Sequence, residues 1–285
     1  MMKLLGMIAL AVGLIGPVCA KPKAVHIGKT EGTMLKSLYK PNAFTGIKGG
    51  SIFKFTVYPS EVDSVVILAD EAMMPYIRLE LQNGVIRPYF SQKIMWNGDL
   101  KYPKVQVYCR QWKSLKLSGA AELETVGVYD VQGSDFTAVL SGATEAVLRL
   151  TGVKDFSMDV SGASNMEVEM GSPVASVRCK ASGASEVEFE GEVTQSFAGD
   201  FSGAADVELK GAAGTADLKV SGAADVDARD FKTQTAVVQC SGGSDLRISA
   251  EKSIKGTVSG ASSLGCYGPA DREVTVSGAA SLYNR

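Results

Sequence analysis

The chain is poor in the groups that usually do chemistry. It has one histidine, His26, and beyond residue 20 only four cysteines, Cys109, Cys179, Cys240 and Cys266. The cysteines are far apart, without CxxC spacing or a histidine companion, which argues against a zinc site and a dithiol redox motif. They mostly stand where apolar residues would serve, so buried thiols are expected, with a disulfide between neighbouring layers as the alternative in an oxidising compartment. No cofactor is expected. Past residue 20 there is also no apolar run near the ~20 residues needed to cross a bilayer. Twenty-nine Lys and Arg against 31 Asp and Glu leave a net charge of −2, with the cations scattered, so no nucleic-acid footprint is present.

What is present starts with MMKLLGMIALAVGLIGPVCA, a cation followed by an apolar stretch and a small-residue ending. This is the layout of a secretory signal peptide over residues 1–20, with a mature product starting at Lys21. Cys19 raises the question of a lipid anchor, which the bulky Val18 before it disfavours. Export to the periplasm, cell surface or medium is therefore expected.

After an N-terminal segment, 21–42, the chain shows two textures. Residues 43–110 hold most of the bulky aromatics, alternate at Phe53, Phe55 and Val57 and again at Ile77, Leu79 and Leu81, and carry a hairpin corner at Gln82 to Gly84. A small antiparallel or mixed β region, capping the remainder of the chain, is expected here. Ser91 to Lys101 has no period and reads as a loop or crossover.

From 111 to 285 the tripeptide Ser-Gly-Ala or a near copy recurs about every twenty residues. Its pairs are Ser118 and Gly119, Ser141 and Gly142, Ser161 and Gly162, Ser182 and Gly183, Ser202 and Gly203, Ser221 and Gly222, Ser241 and Gly242, Ser259 and Gly260, and Ser277 and Gly278. The residue before each Ser and the fifth after it are apolar in every copy, and the preference alternates outward from there, which is the period of half-buried strands. One such unit cannot bury its own apolar side, whereas a stack can. The fold class expected is all-β: a right-handed parallel β-helix, or β-solenoid, of about nine coils, each made of three short strands and three turns. Gly suits a turn at positive φ or a layer too close for a side chain, and Ser offers a hydroxyl to the stack.

Nine equivalent serines do not make a nucleophile, which needs a single base and an orienting acid placed once in a cleft. No catalytic residue is assigned. The outward positions four and six after each Ser are mostly acidic, and in-register coils would align them. Such a face is either a solubilising surface or a strip for a divalent cation or cationic ligand, centred on Glu186, Glu188, Asp206 and Glu208.

Taken together, Phe44 to Asp70 (FTGIKGGSIFKFTVYPSEVDSVVILAD), the hairpin up to Phe90, YPKVQVY and the SGA units resemble the putative auto-transporter adhesin, head GIN domain family of exported bacterial proteins typical of Bacteroidetes. The resemblance implies a β-solenoid surface protein with an adhesive role and no recognised catalytic residue. Where that family closes its hairpin with Gly-Leu, this chain has GVIRPYF, so Pro88 is expected to bend or end the strand. The function expected is an exported, non-catalytic adhesin or binding module for a surface glycan or envelope protein. A structural or assembly protein of the envelope and a polysaccharide lyase or glycoside hydrolase are the competing readings. The last coil, around Val276 and Leu282, is expected either to meet a second copy or to be covered by residues 21–41 folding back.

Overall fold

The structure, a computed structural model, describes residues 25–27, 33–96 and 101–284. The expected signal segment, Cys19 and Lys21 lie outside the described residues. Alternation in the first part yields β1 (Val25–Ile27), β2 (Met34–Tyr39), β3 (Gly46–Gly49), β4 (Lys54–Pro59), β5 (Ser64–Asp70), β6 (Ile77–Gln82), β7 (Val85–Phe90), β8 (Ile94–Trp96) and β9 (Lys104–Cys109). The repeats supply β10 (Ser114–Leu117), β11 (Glu122–Thr125), β12 (Tyr129–Leu140), β13 (Glu145–Val160), β14 (Asn165–Met170), β15 (Val174–Ala181), β16 (Glu186–Phe201), β17 (Asp206–Val220), β18 (Asp225–Cys240), β19 (Asp245–Val258), β20 (Ser263–Tyr267), β21 (Asp271–Val276) and β22 (Ser281–Asn284).

All pairings from β10 onward are parallel, and they form a β-solenoid of about nine coils. The side before each corner stacks Leu117, Leu140, Val160, Ala181, Phe201, Val220, Cys240, Val258 and Val276 in register. The side after it stacks Leu123, Ala146, Met166, Val187, Val207, Val226, Leu246, Leu264 and Leu282. Both columns point inward and, up to the last coil, are buried. The expected three short strands per coil are corrected in the central coils. There β16, β17, β18 and β19 run 14 to 16 residues without a break, and only the Ser-Gly-Ala corner interrupts them. Bulges at Val193/Ser196 and Glu208/Gly211 bend the ladder instead of ending it.

A further corner precedes the nine. β3, Gly50 to Phe53 and β4 form a coil in register with β10, Ser118 to Ala121 and β11. The chain then leaves the stack, and the excursion closes its open end. β9 lies parallel beside β4, β5 antiparallel on β9 and β2 antiparallel on β5. On the other side β7 lies parallel beside β3, with β6 antiparallel to it across the two-residue corner Asn83–Gly84, both at positive φ. Trp112, fully buried, packs into the first solenoid coils by edge-on contacts with Tyr129 and Phe136 and a bond from Nε1 to the Ser114 carbonyl, and the Tyr129 hydroxyl ties them to the β9 end by donating to the Cys109 carbonyl at 3.2 Å.

Three expectations need correction here. Part of Ser91–Lys101 is a strand, since β8 pairs in parallel with β1 and His26 stands opposite Met95. Pro88 does not end β7, which continues to Phe90 and keeps its pairing with β6; instead, β7 leaves β3 after Ile86. The segment containing β2 does not fold back over the last coil, because β2 pairs with β5 at the opposite end. All four cysteines are buried free thiols, which decides against the disulfide alternative.

Candidate functional site

The corner is the most repeated element, and its geometry explains its composition. Gly119, Gly142, Gly162, Gly183, Gly203, Gly222, Gly242, Gly260 and Gly278 all have φ between +72° and +96°. A Cβ on Gly162 would lie 2.5 Å from the Gly142 carbonyl oxygen, and the other copies repeat this approach to the coil before. Each turn therefore needs glycine twice over, for its backbone conformation and for the space it leaves.

The serines belong to the same ladder. In each corner the Ser N–H donates to a carbonyl of the preceding coil, as Ser202 does to Ala181 at 2.9 Å. The hydroxyls of Ser118, Ser141, Ser161, Ser221 and Ser259 donate to that same acceptor at 3.2 to 3.5 Å. A hydroxyl used this way holds layers together. Three residues on stands a second polar column, which the repeat pattern does not reveal: Thr144, Ser164, Ser185, Ser244 and Ser262 are buried. Ser164 donates to the Ser161 carbonyl at 2.8 Å and accepts from Thr144 at 3.0 Å, whereas Ser185 Oγ has no partner. Alternation with Ala at 121, 205, 224 and 280 disguises this column as ordinary turn polarity.

The acidic positions do come together on one face. Glu186 stands beside Asp206 and Glu188 beside Glu208, with Glu145, Asn165, Asp225 and Asp245 continuing the first column. The strip is neutralised towards its ends. Arg149 meets Glu169 at 3.1 Å, and Arg247 reaches both Asp225 and Asp245 at 2.9 Å. A hydrogen bond from Arg229 holds the Asp227 carboxyl below its usual range, with Arg247 contributing charge. In the centre Lys210 contacts Glu208 at 2.8 Å, and that bond, together with the nearby charges of Glu208, Glu188 and Glu190, raises the lysine. Glu186, Glu188 and Asp206 have no ion-pair partner among the described residues. The carboxylates are spread in rows along the strands, and among the described residues no three Asp, Glu, Cys or His groups converge to hold a metal ion. This arrangement can face an extended cationic surface.

A second concavity lies at the start of the stack, where β7 leaves β3. It is a cleft of about 370 Å³ between the first corner and residues 87–94, lined by Lys48, Arg87 and Lys93 above Phe53, Pro88 and Phe90. No motif in the sequence marks these positions as a site.

Comparison with known proteins gives concordant results. The family model described as putative auto-transporter adhesin, head GIN domain, matches residues 43–197 and again 172–270. A crystal structure of a putative adhesin from Parabacteroides merdae superposes with a TM-score of 0.68 at 18% identity, covering 91% of this chain and 99% of that one. A putative lipid binding protein from Parabacteroides distasonis gives 0.67 at 13% identity, covering 92% and 100%. A putative adhesin from the same organism gives 0.63 at 18%, covering 90% and 100%. These likenesses establish the fold. No curated protein sequence matches the chain.

Proposed function

Because the chain belongs to the putative auto-transporter adhesin, head GIN domain family, we propose that it is an exported, non-catalytic surface protein that binds through the sides of its solenoid. The observation that carries this reading is the register of the outer face just after each corner. There the outward side chains stand in two straight columns, Asn165, Glu186, Asp206, Asp225 and Asp245 in one and Glu167, Glu188, Glu208, Asp227 and Arg247 in the other, with no register shift between them. A flat, repetitive surface suits many weak contacts to an extended partner, whereas hydrolysis of a polysaccharide asks for one singular cleft with an acid and a base. The names of the similar structures, adhesins in two cases, support the same reading. The strip of Glu186, Glu188, Asp206 and Glu208 is proposed as a contact surface for a cationic partner rather than a metal cage. Lipoprotein anchoring at Cys19 is not part of the proposal. Among the described residues no helix is long and apolar enough to span a membrane.

The test compares binding on an array of surface glycans and purified envelope proteins with reducing-sugar release from the same polysaccharides. Binding without release is expected. Release of sugar by the pure protein would overturn the non-catalytic reading, and an array with no retained ligand would favour a structural role in the envelope.

A further inference from the structure

In each of the nine Ser-Gly-Ala corners, the N–H of the Ser and that of the third residue donate to carbonyls of the coil before. Ser118 bonds Gly49 and Ala120 bonds Ser51, so the equivalent positions in the first corner are Gly50 and Ile52. Their N–H groups have no acceptor among the described residues. The strand that would supply one is β7, and β7 parts from β3 after Ile86, two residues ahead of Pro88. The first corner thus keeps donors that every later corner spends on its neighbour. Ser51 takes the glycine position of this corner at a φ of 59°, a conformation that costs a side-chain-bearing residue energy.

The cleft left by this departure has a consistent chemistry. Gly50 and Ser51 form one wall. Lys48, Arg87 and Lys93 line the cleft, and among the described residues no carboxylate does. Lys116, in register with Lys48 one coil on, extends the positive side. Arg87 lies over the Tyr89 ring at 5.4 Å and, among the described residues, pairs with Glu80 at 3.8 Å. Lys48 and Lys93 have no ion-pair partner among the described residues. The accessible apolar part of the floor is the half-buried Phe90, stacked at 5.0 Å on Phe53, which is fully buried beneath it. A cleft with charge of one sign and low-dielectric walls concentrates potential on an oppositely charged ligand. Its volume of about 370 Å³ is within the ~300–1,000 Å³ usual for small-ligand pockets.

We infer that this cleft binds the carboxylate- or sulfate-bearing sugar of an acidic polysaccharide. Lys48, Arg87 and Lys93 would pair with the anionic group, the Gly50 amide would donate to one of its oxygens, and the apolar floor would take the C–H face of the ring. A single ring with one charged substituent matches a compact pocket better than two acyl chains do, which is why a sugar is assigned rather than a lipid. The inference rests on the binding role proposed above but uses a different part of the surface.

The full mature chain is titrated with oligogalacturonate, with a heparin-derived oligosaccharide and with an uncharged glucose oligomer, and separately with phosphatidylglycerol vesicles. At least one anionic oligosaccharide is expected to bind, more weakly as salt is raised, and the glucose oligomer is not. The double variant Lys48→Gln, Lys93→Gln should weaken that binding at least tenfold with an unchanged melting temperature. Lys232→Gln with Lys252→Gln, the same charge change at exposed positions on the solenoid sides, should leave it within twofold. Equal loss in both doubles would mean diffuse attraction and would overturn the site. No binding of any anionic oligosaccharide, binding of the glucose oligomer as tight as that of the acidic ones, or binding to the vesicles alone would likewise overturn it. Retention on the glycan or protein array by a chain that fails this titration would sink the cleft while sparing the proposed function.

Discussion

Gly203 stacks on Gly183 so closely that a Cβ built on it would lie 2.7 Å from the Gly183 carbonyl oxygen and 2.8 Å from its nitrogen. Its φ of 75° is also one that side chains rarely adopt. Gly203→Val meets both penalties, because the branched side chain is strained at positive φ and must push two coils apart. Destabilisation of about 2 kcal/mol or more is expected. A chemical denaturation midpoint equal to that of the parent would show that the corner is not tight.

Gly243 sharpens that test by contrast. It occupies the third corner position, where the other copies carry Ala, its φ is not in the left-handed region, and the nearest atom to an added Cβ is 3.8 Å away. Gly243→Ala should therefore stabilise by about 0.4–1 kcal/mol through the unfolded chain. Loss of stability would mean that this one corner departs from its neighbours.

The buried hydroxyl column makes a paired prediction. Ser185 Oγ is buried without a partner, and Ala205 fills the same place one coil on. Ser185→Ala should be neutral or gain up to about 1 kcal/mol, whereas Ser164→Ala, which breaks the bonds to Ser161 and Thr144, should cost about 1–2 kcal/mol. Equal effects of the two changes in thermal unfolding would contradict the hydrogen-bond assignment.

These residues also show where sequence reasoning reaches and where it stops. The columns headed by Leu117 and Leu123 are legible because a strand alternates strictly and the coil length barely varies. So is the alignment of Glu186 with Asp206, which comes from register alone. The first coil is hidden because Ser51 stands in the glycine column and the chain leaves the stack at Pro59 before rejoining it at Ser114. The long strands are hidden because bulges carry the ladder around bends that composition reads as turns. The cleft cannot be read at all: Lys48 and Lys93 lie far apart in sequence, and they meet only because β7 stops pairing with β3.

Burial of the thiols links stability to alkaline pH. Desolvation pushes Cys109 up to about 11 and Cys240 to about 12, from an ordinary value near 9. The folded state thus holds these protons where the unfolded chain has released them, so their contribution is intact below pH 9 and is lost as pH rises through the folded values. Melting temperature should fall between pH 9 and 11. Cys240→Val, which matches Val220 and Val258 on either side, should make that fall shallower. An identical alkaline slope in parent and variant would remove Cys240 from the explanation, and rapid alkylation of the native thiols at pH 8 would contradict their burial.

Arg247 interrupts the second acidic column at the place where the preceding coils carry Glu188, Glu208 and Asp227. It is 25% exposed and touches Asp225, Asp227 and Asp245, so one cation screens three carboxylates whose strands the fold forces side by side. One oxygen of Asp245 is buried with no hydrogen-bond partner, which makes this carboxylate the most dependent on its arginine. Arg247→Gln keeps much of the length but removes the charge, and it should cost about 1 kcal/mol at low ionic strength, more than a lone exposed pair would. Repulsion among screened surface charges weakens as salt is added, so the loss should shrink between 20 mM and 500 mM sodium chloride. Thermal unfolding across that range of salt separates the two ways in which Arg247 could act. A loss independent of salt would assign its role to packing of the side-chain stem rather than to its charge.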